Sequence, residues 1–219
     1  MMSFVRIIVL ALATAFLAAC GGGGQTLTLA SATPTPTTTA ASSTAVASAQ
    51  AAATAAGTAL ACAAPAQPIV ELTEGPYYKA NPPQNAALRT AGVAGTPLTL
   101  TGYVVSKSCQ PIANAKLDFW QADGNGNYDN SGYTLRGWQL TTASGAYRLE
   151  TVIPGLYPGR TEHVHFKVTV NGTTYTSQLF FPGVSQNEGD SIYSSQMLVM
   201  LNTSTSPATA TFTFIVNVA

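Results

Sequence analysis

The two histidines of the chain are separated by a single residue. His163 and His165 flank Val164, and residues two apart on a β-strand point to the same face, so the two imidazoles are predicted to project side by side. The opposite face carries an unbroken apolar row, which sets the register of the strand: Val164, Phe166, Val168 and Val170. Neutral imidazole is the commonest metal ligand. The pair is a candidate half of a metal site, although such pairs also occur in strands that bind nothing.

Two tyrosines at predicted loop positions could supply the remaining ligands. Tyr128 follows a Gly/Asn-rich loop over residues 123–127, and Tyr157 follows Pro154 and Gly155. A tyrosine hydroxyl has an ordinary pKa of about 10, so binding a metal as phenolate at neutral pH requires a strong Lewis acid. Fe(III) meets this requirement better than Zn(II) or Mg(II). Each tyrosine taken alone is more often a hydrogen-bonded packing residue.

The elements that must hold these side chains are predicted to be β-strands. From residue 97 onwards the apolar residues recur mostly with a period of two. Many short strands with turn residues between them indicate an all-β fold, a single-domain β-sandwich of mixed or antiparallel strands or a barrel. Such a sandwich also suits an adhesion or carrier-binding protein without chemistry. The alternation predicts strands over residues 98–105, 115–120, 146–152, 163–170, 173–181 and 211–218.

The first nineteen residues, 1–19, predict a signal peptide. Arg6 precedes an apolar run that is too short to span a bilayer stably. The run ends at Cys20 in the sequence Leu-Ala-Ala-Cys-Gly, which resembles the bacterial lipobox, where the cysteine is lipidated and becomes the mature N-terminus. An ordinary secretory peptide with a chance cysteine is the alternative. Both interpretations export the protein, and the first makes it a membrane-anchored lipoprotein facing the periplasm or the cell exterior.

Composition divides the rest of the chain in two. Residues 20–66 are predicted to be the lipidated cysteine and a disordered linker. They are rich in Ala, Thr, Ser and Pro, contain no charged residue, and have nothing to bury that could offset the entropy lost on ordering the chain. Residues 67–219 have the size of one domain. The net charge is zero and 8% of residues are charged, which argues against nucleic acid or an anionic membrane surface as partner. A small, weakly charged molecule is expected, and the oligomeric state stays open.

The three cysteines suggest one disulfide. If Cys20 carries lipid, Cys62 and Cys109 are the only pair left in an oxidising compartment. We therefore predict that these two residues are bonded. Two free thiols are the alternative, although exported proteins tend to avoid them.

Five segments of the chain resemble consecutive motifs of the intradiol ring-cleavage dioxygenases, and they occur in the family's order. The resemblance covers most of residues 67–182 and is closer to the exported, single-domain branch. It implies one non-haem Fe(III) per chain, held by Tyr128, Tyr157, His163 and His165, and a catechol-type ring opened by O2 between its two hydroxyl-bearing carbons. The segments are LTEGPYY at 72–78, FWQADGNGNY at 119–128, RGWQLT at 136–141, TVIPGLYP at 151–158 and RTEHVHF at 160–166.

The resemblance also implies a role for each residue that matches a family motif. Tyr128 is expected to stay bound to iron, whereas Tyr157 is expected to leave when substrate arrives and to accept a substrate proton. Arg160 would stabilise negative charge on the ring as O2 attacks, and Gln178 would hydrogen-bond the reacting region. The residues that resemble pocket-wall positions are Gly75, Pro76, Tyr77 and Trp120; for Trp120, packing in the core is an equal alternative.

Two other classes of function remain open at this stage. One is a surface lipoprotein that binds metal or catechols on the same fold without turnover, and the other is a purely structural sandwich that binds no stoichiometric iron. Arg160 and Gln178 favour the enzyme, because binding alone needs neither of them. The ring substituents of the substrate do not follow from the sequence.

Overall fold

The computed structural model describes Cys62 and residues 67–218. These residues all fall within one unit of the chain, 45–219. The predicted signal peptide at 1–19, the predicted lipidation of Cys20 and most of the predicted linker at 20–66 lie outside the described residues. They remain predictions.

Nine strands and two single-turn 3₁₀ helices form the regular elements of the described residues. Among these residues no helix is long and apolar enough to cross a membrane. The strands are β1 (Pro97–Ser106), β2 (Lys116–Gln121), β3 (Arg136–Leu140), β4 (Ala146–Val152), β5 (His163–Val170), β6 (Thr173–Phe180), β7 (Met200–Asn202), β8 (Ala208–Thr211) and β9 (Phe214–Val216), and the 3₁₀ helices are Asn187–Gly189 and Ser195–Met197.

The strands form two sheets, which confirms the predicted all-β sandwich. The first sheet has the order β4-β1-β8-β7, with β9 also paired to β1. It is mixed, because β1 runs antiparallel to β4 and parallel to β8 and β9. The second sheet has the order β3-β2-β5-β6 and is antiparallel throughout. Apolar side chains from both sheets meet in one buried core, whose members include Phe119, Phe166, Phe214, Leu98, Leu100 and Leu149.

Five of the predicted strands agree with the structure within a few residues. The ends of β5 and β6 agree because the predicted hairpin turn forms at Asn171 and Gly172. Both residues have positive φ, 50° and 81°, as a two-residue hairpin turn requires. The turn pairs Val170 with Thr173 and so sets the register of β5 against β6.

The prediction of one strand over residues 211–218 was wrong. The chain instead forms β8 and β9, which pair with successive parts of β1. Between them the backbone passes so close to Gly102 that a Cβ there would lie 1.8 Å from the carbonyl oxygen of Phe212. The break thus occurs where β1 has a glycine. Strands β3 and β7 were not predicted, because β7 has only three residues and β3 lacks a clear alternation.

Both faces of β5 are buried. The predicted apolar row packs in the core, but His163 and His165 are also only 2% and 1% exposed. The reason is an extended segment, residues 72–85, that crosses the outer face of the second sheet. Its backbone bonds to both outer strands of that sheet, through Leu72 N–H to Thr176 O and Asn85 N–H to Trp138 O.

Cys62 and Cys109 are joined by a disulfide, with Cα atoms 5.8 Å apart. Cys109 lies in the turn after β1 and has a positive φ of 62°. The bond therefore ties a residue of the predicted linker to the sandwich. The folded unit extends at least to Cys62 through this covalent link.

Replacing both Cys62 and Cys109 by Ser is expected to lower the free energy of unfolding by about 4 kcal/mol. The bond closes a loop with a sequence separation of 47 residues, and the chain-entropy relation assigns a loop of that length this order of stabilisation. Urea unfolding of the two proteins under non-reducing conditions measures the difference. A reducing agent should weaken the native protein by the same amount and leave the double variant unchanged; a native protein insensitive to reduction would contradict the prediction.

Candidate metal centre

The candidate site lies on the outer face of the second sheet, where β5 begins. Strand pairing places His165 beside Trp120 of β2 on one side and beside Gln178 of β6 on the other. Directly opposite residues on neighbouring antiparallel strands have their side chains in contact range. The sheet thus brings together residues that are up to 58 positions apart in the sequence.

Three donor atoms from β5 and the loop after β2 converge at this point. The Nε2 atoms of His163 and His165 lie 3.1 Å apart, and the hydroxyl of Tyr128 lies 3.4 Å from His163 Nε2. The other ring nitrogen of His163, Nδ1, donates to the carbonyl oxygen of Thr161 at 2.6 Å. This bond leaves the lone pair of a neutral imidazole on Nε2, directed at the other two donors.

The converging donors fit a cation. Burial lowers the pKa of His163 to about 4, and burial together with the neighbouring His163 and Arg160 holds the pKa of His165 well below its usual range. Both rings are therefore neutral at pH 7. His165 Nδ1 is buried without a hydrogen-bond partner, whereas Nδ1 of His163 is bonded to Thr161. A cation bound by the two Nε2 atoms and the phenol oxygen accounts for their convergence.

The chemistry of the donor set narrows the choice of metal. Within the described part of the chain, no group of three or more His, Cys, Asp or Glu side chains could hold a metal ion. The further protein donor beside the two imidazoles is the phenol oxygen of Tyr128. Burial raises the pKa of Tyr128 well above its ordinary value, and the neighbouring Tyr157 adds to this effect. A hard, strongly Lewis-acidic ion such as Fe(III) is the kind that displaces such a proton.

Tyr128 is held in place from two sides. Its ring stacks on Tyr77 with centroids 4.3 Å apart and an interplanar angle of 17°. The guanidinium of Arg136 lies 5.8 Å from the centre of the Tyr128 ring, and its nitrogens donate to the carbonyl oxygens of Tyr77 and Asp129. Arg136 is itself buried. It therefore links the segment that covers the site to the loop that carries Tyr128.

Tyr157 lies beside the three converging donors, but its hydroxyl is bonded to Arg160. Its ring centroid is 5.5 Å from that of His163 and 5.8 Å from that of Tyr128. Its hydroxyl oxygen accepts a hydrogen bond from Arg160 Nη1 at 3.2 Å. Burial raises the pKa of Tyr157, and the charge and hydrogen bond of Arg160 oppose that rise. The structure thus groups all four predicted ligands, with Tyr157 turned towards the arginine.

Arg160 and Gln178 form one connected polar group. Arg160 Nη2 donates to Gln178 Oε1 at 2.5 Å, and Gln178 Nε2 donates to the carbonyl oxygen of Thr73 at 2.9 Å. The remaining guanidinium nitrogen, Nε, donates to Asp190 Oδ2 at 2.9 Å. The sequence did not indicate Asp190, because it lies in a turn-rich segment outside every motif. The ion pair becomes visible only once the chain is folded.

Three of the predicted pocket-wall residues contact the predicted ligands. Gly75 has a φ of +72°, and a Cβ there would lie 3.2 Å from His165 Cε1, so both backbone conformation and space favour glycine. Tyr77 stacks on Tyr128. Pro76, which lies between Gly75 and Tyr77 in the sequence, is exposed. Trp120 is buried, with its ring stacked on His165 at 4.8 Å and 7°. Trp120 therefore packs against a predicted ligand.

A second layer of side chains lies over Trp120 and was not predicted. The ring of Tyr78 lies 4.8 Å from that of Trp120, and its hydroxyl donates to Asp118 at 3.2 Å. Lys167 Nζ lies 3.4 Å from the centre of the Tyr78 ring and pairs with Glu74. These contacts hold the segment over residues 72–85 against the histidine face.

Comparisons with known proteins agree with this geometry. A family model described as Dioxygenase matches residues 73–216. The chain is 28% identical over 151 residues to the protocatechuate 3,4-dioxygenase beta chain of Burkholderia cepacia, covering 54% of this chain and 64% of that protein. It is 25% identical to the hydroxyquinol 1,2-dioxygenase of Nocardioides simplex, covering 54% of this chain and 49% of that protein. The chain thus spans about half to two thirds of the length of these relatives.

One solved structure shares considerably more of the sequence. It is the dioxygenase domain of a dioxygenase carbohydrate-binding protein fusion from the cellulolytic bacterium Streptomyces sp. SirexAA-E. The identity is 41%, the match covers 70% of this chain and 100% of that chain, and the TM-score is 0.68. The similarity covers the sandwich and therefore includes the candidate site.

Proposed function

The chain belongs to the intradiol ring-cleavage dioxygenase family, and from this premise we propose that it binds one non-haem Fe(III) and cleaves a catechol-type ring with O2. The ligands would be Tyr128, Tyr157, His163 and His165. The observation that carries the proposal is that His163 Nε2 lies 3.1 Å from His165 Nε2 and 3.4 Å from the hydroxyl of Tyr128. When bound, Fe(III) supplies the Lewis acidity that favours phenolate and catecholate over their protonated forms.

Tyr157 is placed to receive a proton. Its hydroxyl oxygen already accepts a hydrogen bond from Arg160, and the charge of Arg160 favours the phenolate form. A phenolate at this position can take the proton of a substrate hydroxyl as a general base. The ring of Tyr128 is stacked on Tyr77 at 4.3 Å, whereas the ring of Tyr157 meets its aromatic neighbours edge-on or tilted. These contacts support Tyr128 as the permanent ligand and Tyr157 as the one that moves.

Arg160 would act on the substrate ring, and Gln178 would support it. The positively charged guanidinium of Arg160 would stabilise negative charge that develops on the ring as O2 attacks. Gln178 is fully buried and fixes the orientation of that guanidinium through its amide oxygen. Both atoms of O2 would enter the product, a muconate-type diacid, so the reaction needs no external reductant.

We also propose that the protein works outside the cytoplasm, anchored by lipid on Cys20 after removal of residues 1–19 and separated from the membrane by the linker at 20–66. The disulfide between Cys62 and Cys109 supports this proposal, because such bonds persist mainly in oxidising compartments. The substrate would then be a catechol that the cell meets at its surface.

Bound iron, colour and oxygen uptake together test the function. The protein loaded with Fe(III) is expected to hold one iron per chain and to be reddish, because phenolate-to-iron charge transfer absorbs visible light. Adding a catechol without O2 should shift the band, and admitting O2 should start its uptake. A panel of catechols then identifies the preferred ring. Iron binding with a shifted band but no oxygen uptake would identify a catechol-binding lipoprotein, and a colourless iron-loaded protein would contradict both.

A further inference from the structure

A short turn segment, residues 187–192, packs against the start of β5 and contains a buried carboxylate. The side chain of Asp190 is 2% exposed. Its Oδ2 accepts hydrogen bonds from Arg160 Nε at 2.9 Å and from the backbone N–H of Thr161 at 3.0 Å. Its Oδ1 accepts one from the backbone N–H of Ile192 at 2.9 Å. Both oxygens are therefore occupied by groups of the protein, and neither is left for substrate.

Each nitrogen of the Arg160 guanidinium contacts a different partner. Nε donates to Asp190, Nη1 donates to the hydroxyl of Tyr157 and Nη2 donates to Gln178. The guanidinium is a rigid planar fork, so anchoring Nε sets the position of the two terminal nitrogens. The arginine side chain is 12% exposed, and the turn segment supplies its only ion pair among the described residues.

The same segment also holds Thr161, one of the two residues between Arg160 and His163. The hydroxyl of Thr161 donates to Asn187 Oδ1 at 2.5 Å, and Asn187 Nδ2 donates to the carbonyl oxygen of Phe181 at 2.9 Å. The carbonyl oxygen of Thr161 in turn accepts a hydrogen bond from the ring nitrogen Nδ1 of His163 at 2.6 Å. Asp190 and Asn187 therefore both bond to Thr161, through its backbone N–H and its hydroxyl respectively. Thr161 follows the predicted catalytic residue Arg160 and precedes the predicted ligand His163 by two positions.

We propose that Asp190 is a positioning residue, which acts by holding the guanidinium of Arg160 against Tyr157 and Gln178. This inference rests on the proposed dioxygenase function. The carboxylate of Asp190 bonds to Arg160, Thr161 and Ile192 and to none of the predicted ligands, so it would act through Arg160. Its loss should therefore slow the chemical step and leave metal binding intact.

Asp190→Asn is the first test. A carboxylate offers two acceptor oxygens and an amide only one. In the variant, either Arg160 Nε–H together with the backbone N–H of Thr161, or the backbone N–H of Ile192, must therefore face an NH2 group. The expected kcat on a catechol is lower by up to about 100-fold, the cost of moving a reacting or stabilising group by about an ångström. Iron content, the visible band and KM are expected to stay close to the native values. A kcat within twofold of native would overturn the inference.

Matched variants separate positioning from folding. Glu188→Gln removes the same charge from an exposed side chain two residues away and should leave kcat unchanged. Asp190→Glu keeps the charge but displaces the carboxylate by one methylene, so its kcat should fall between those of the native protein and Asp190→Asn. If the Asn variant does not fold, the Glu variant carries the test, and a native kcat in it would overturn the inference.

A double-mutant cycle with Arg160→Ala decides whether Asp190 acts through the arginine. Asp190→Asn should slow the native enzyme but have no further effect on kcat in the Arg160→Ala background; a full effect there would contradict the inference. Melting temperature gives a readout independent of turnover. Asp190→Asn should lower it in the native protein and raise or leave it unchanged beside Arg160→Ala, since that variant contains an unpaired buried carboxylate. If the native protein takes up no oxygen, the proposed function is refuted. The melting temperatures still test the coupling of Asp190 to Arg160 in that case, because they do not depend on turnover.

Discussion

Tyr128→Phe is expected to alter the visible band of the iron-loaded protein and to lower ring cleavage by more than about 100-fold. The change deletes the phenol oxygen that lies 3.4 Å from His163 Nε2, whereas the phenyl ring can keep its stack on Tyr77. Removing a mere outer partner of a metal ligand costs up to about 100-fold in metal affinity or activity, and loss of the ligand itself should exceed that. Iron per chain, the visible spectrum and oxygen uptake measure the effect.

Tyr133→Phe is the matched control for this variant. It deletes one phenol oxygen from an exposed ring, whose hydroxyl donates only to the carbonyl oxygen of Ala80. Iron content, colour and activity should all be native in this control. A Tyr128→Phe protein with one iron per chain and an unchanged band would remove Tyr128 from the ligand set and with it the proposed centre.

Arg160→Lys is expected to lower kcat by about 100- to 1000-fold, the usual cost of deleting one group that stabilises charge in a transition state. Lysine keeps a positive charge opposite the buried Asp190, so the variant should fold, whereas removing the charge altogether would leave that carboxylate unpaired. The ammonium cannot contact Asp190, Tyr157 and Gln178 at once as the guanidinium does. Steady-state kinetics of oxygen uptake give the result.

Arg148→Lys makes the same substitution at an exposed pair with Glu150, and its kinetics should be native. Iron content and the visible band should be native in both arginine variants, because Arg160 lies beside the predicted ligands without being one. Native kcat in Arg160→Lys would show that the fork is dispensable. Loss of iron in that variant would instead show that Arg160 is needed for iron binding.

Much of the fold was predictable because its strands are amphipathic over short stretches. The alternation in β1, β2, β4 and β5 is a local property of the sequence, and so is the Asn-Gly turn that sets β5 against β6. The pairing of β8 and β9 with β1 was not predictable in the same way. It depends on β1 having Gly102 where the backbone of Phe212 approaches, and these two residues are 110 positions apart.

The candidate site shows the same division. The spacing of His163 and His165 suffices to place both imidazoles on one face of a strand, and the surrounding motifs were enough to group them with Tyr128 and Tyr157. The stacking of Trp120 on His165 required the pairing of β2 with β5. The burial of the histidine face required a covering segment that contacts the sheet from outside.

The sequence by itself determined the class of fold, the candidate donor atoms and the family, because each depends on residue types at short spacings. Only the tertiary structure decided which of these atoms converge, that Tyr157 is turned towards Arg160, and that Asp190 anchors that arginine from 30 positions away. The physical reason is that a hydrogen bond or an ion pair depends on distance in space. Spacing along the chain sets that distance only within one strand or turn.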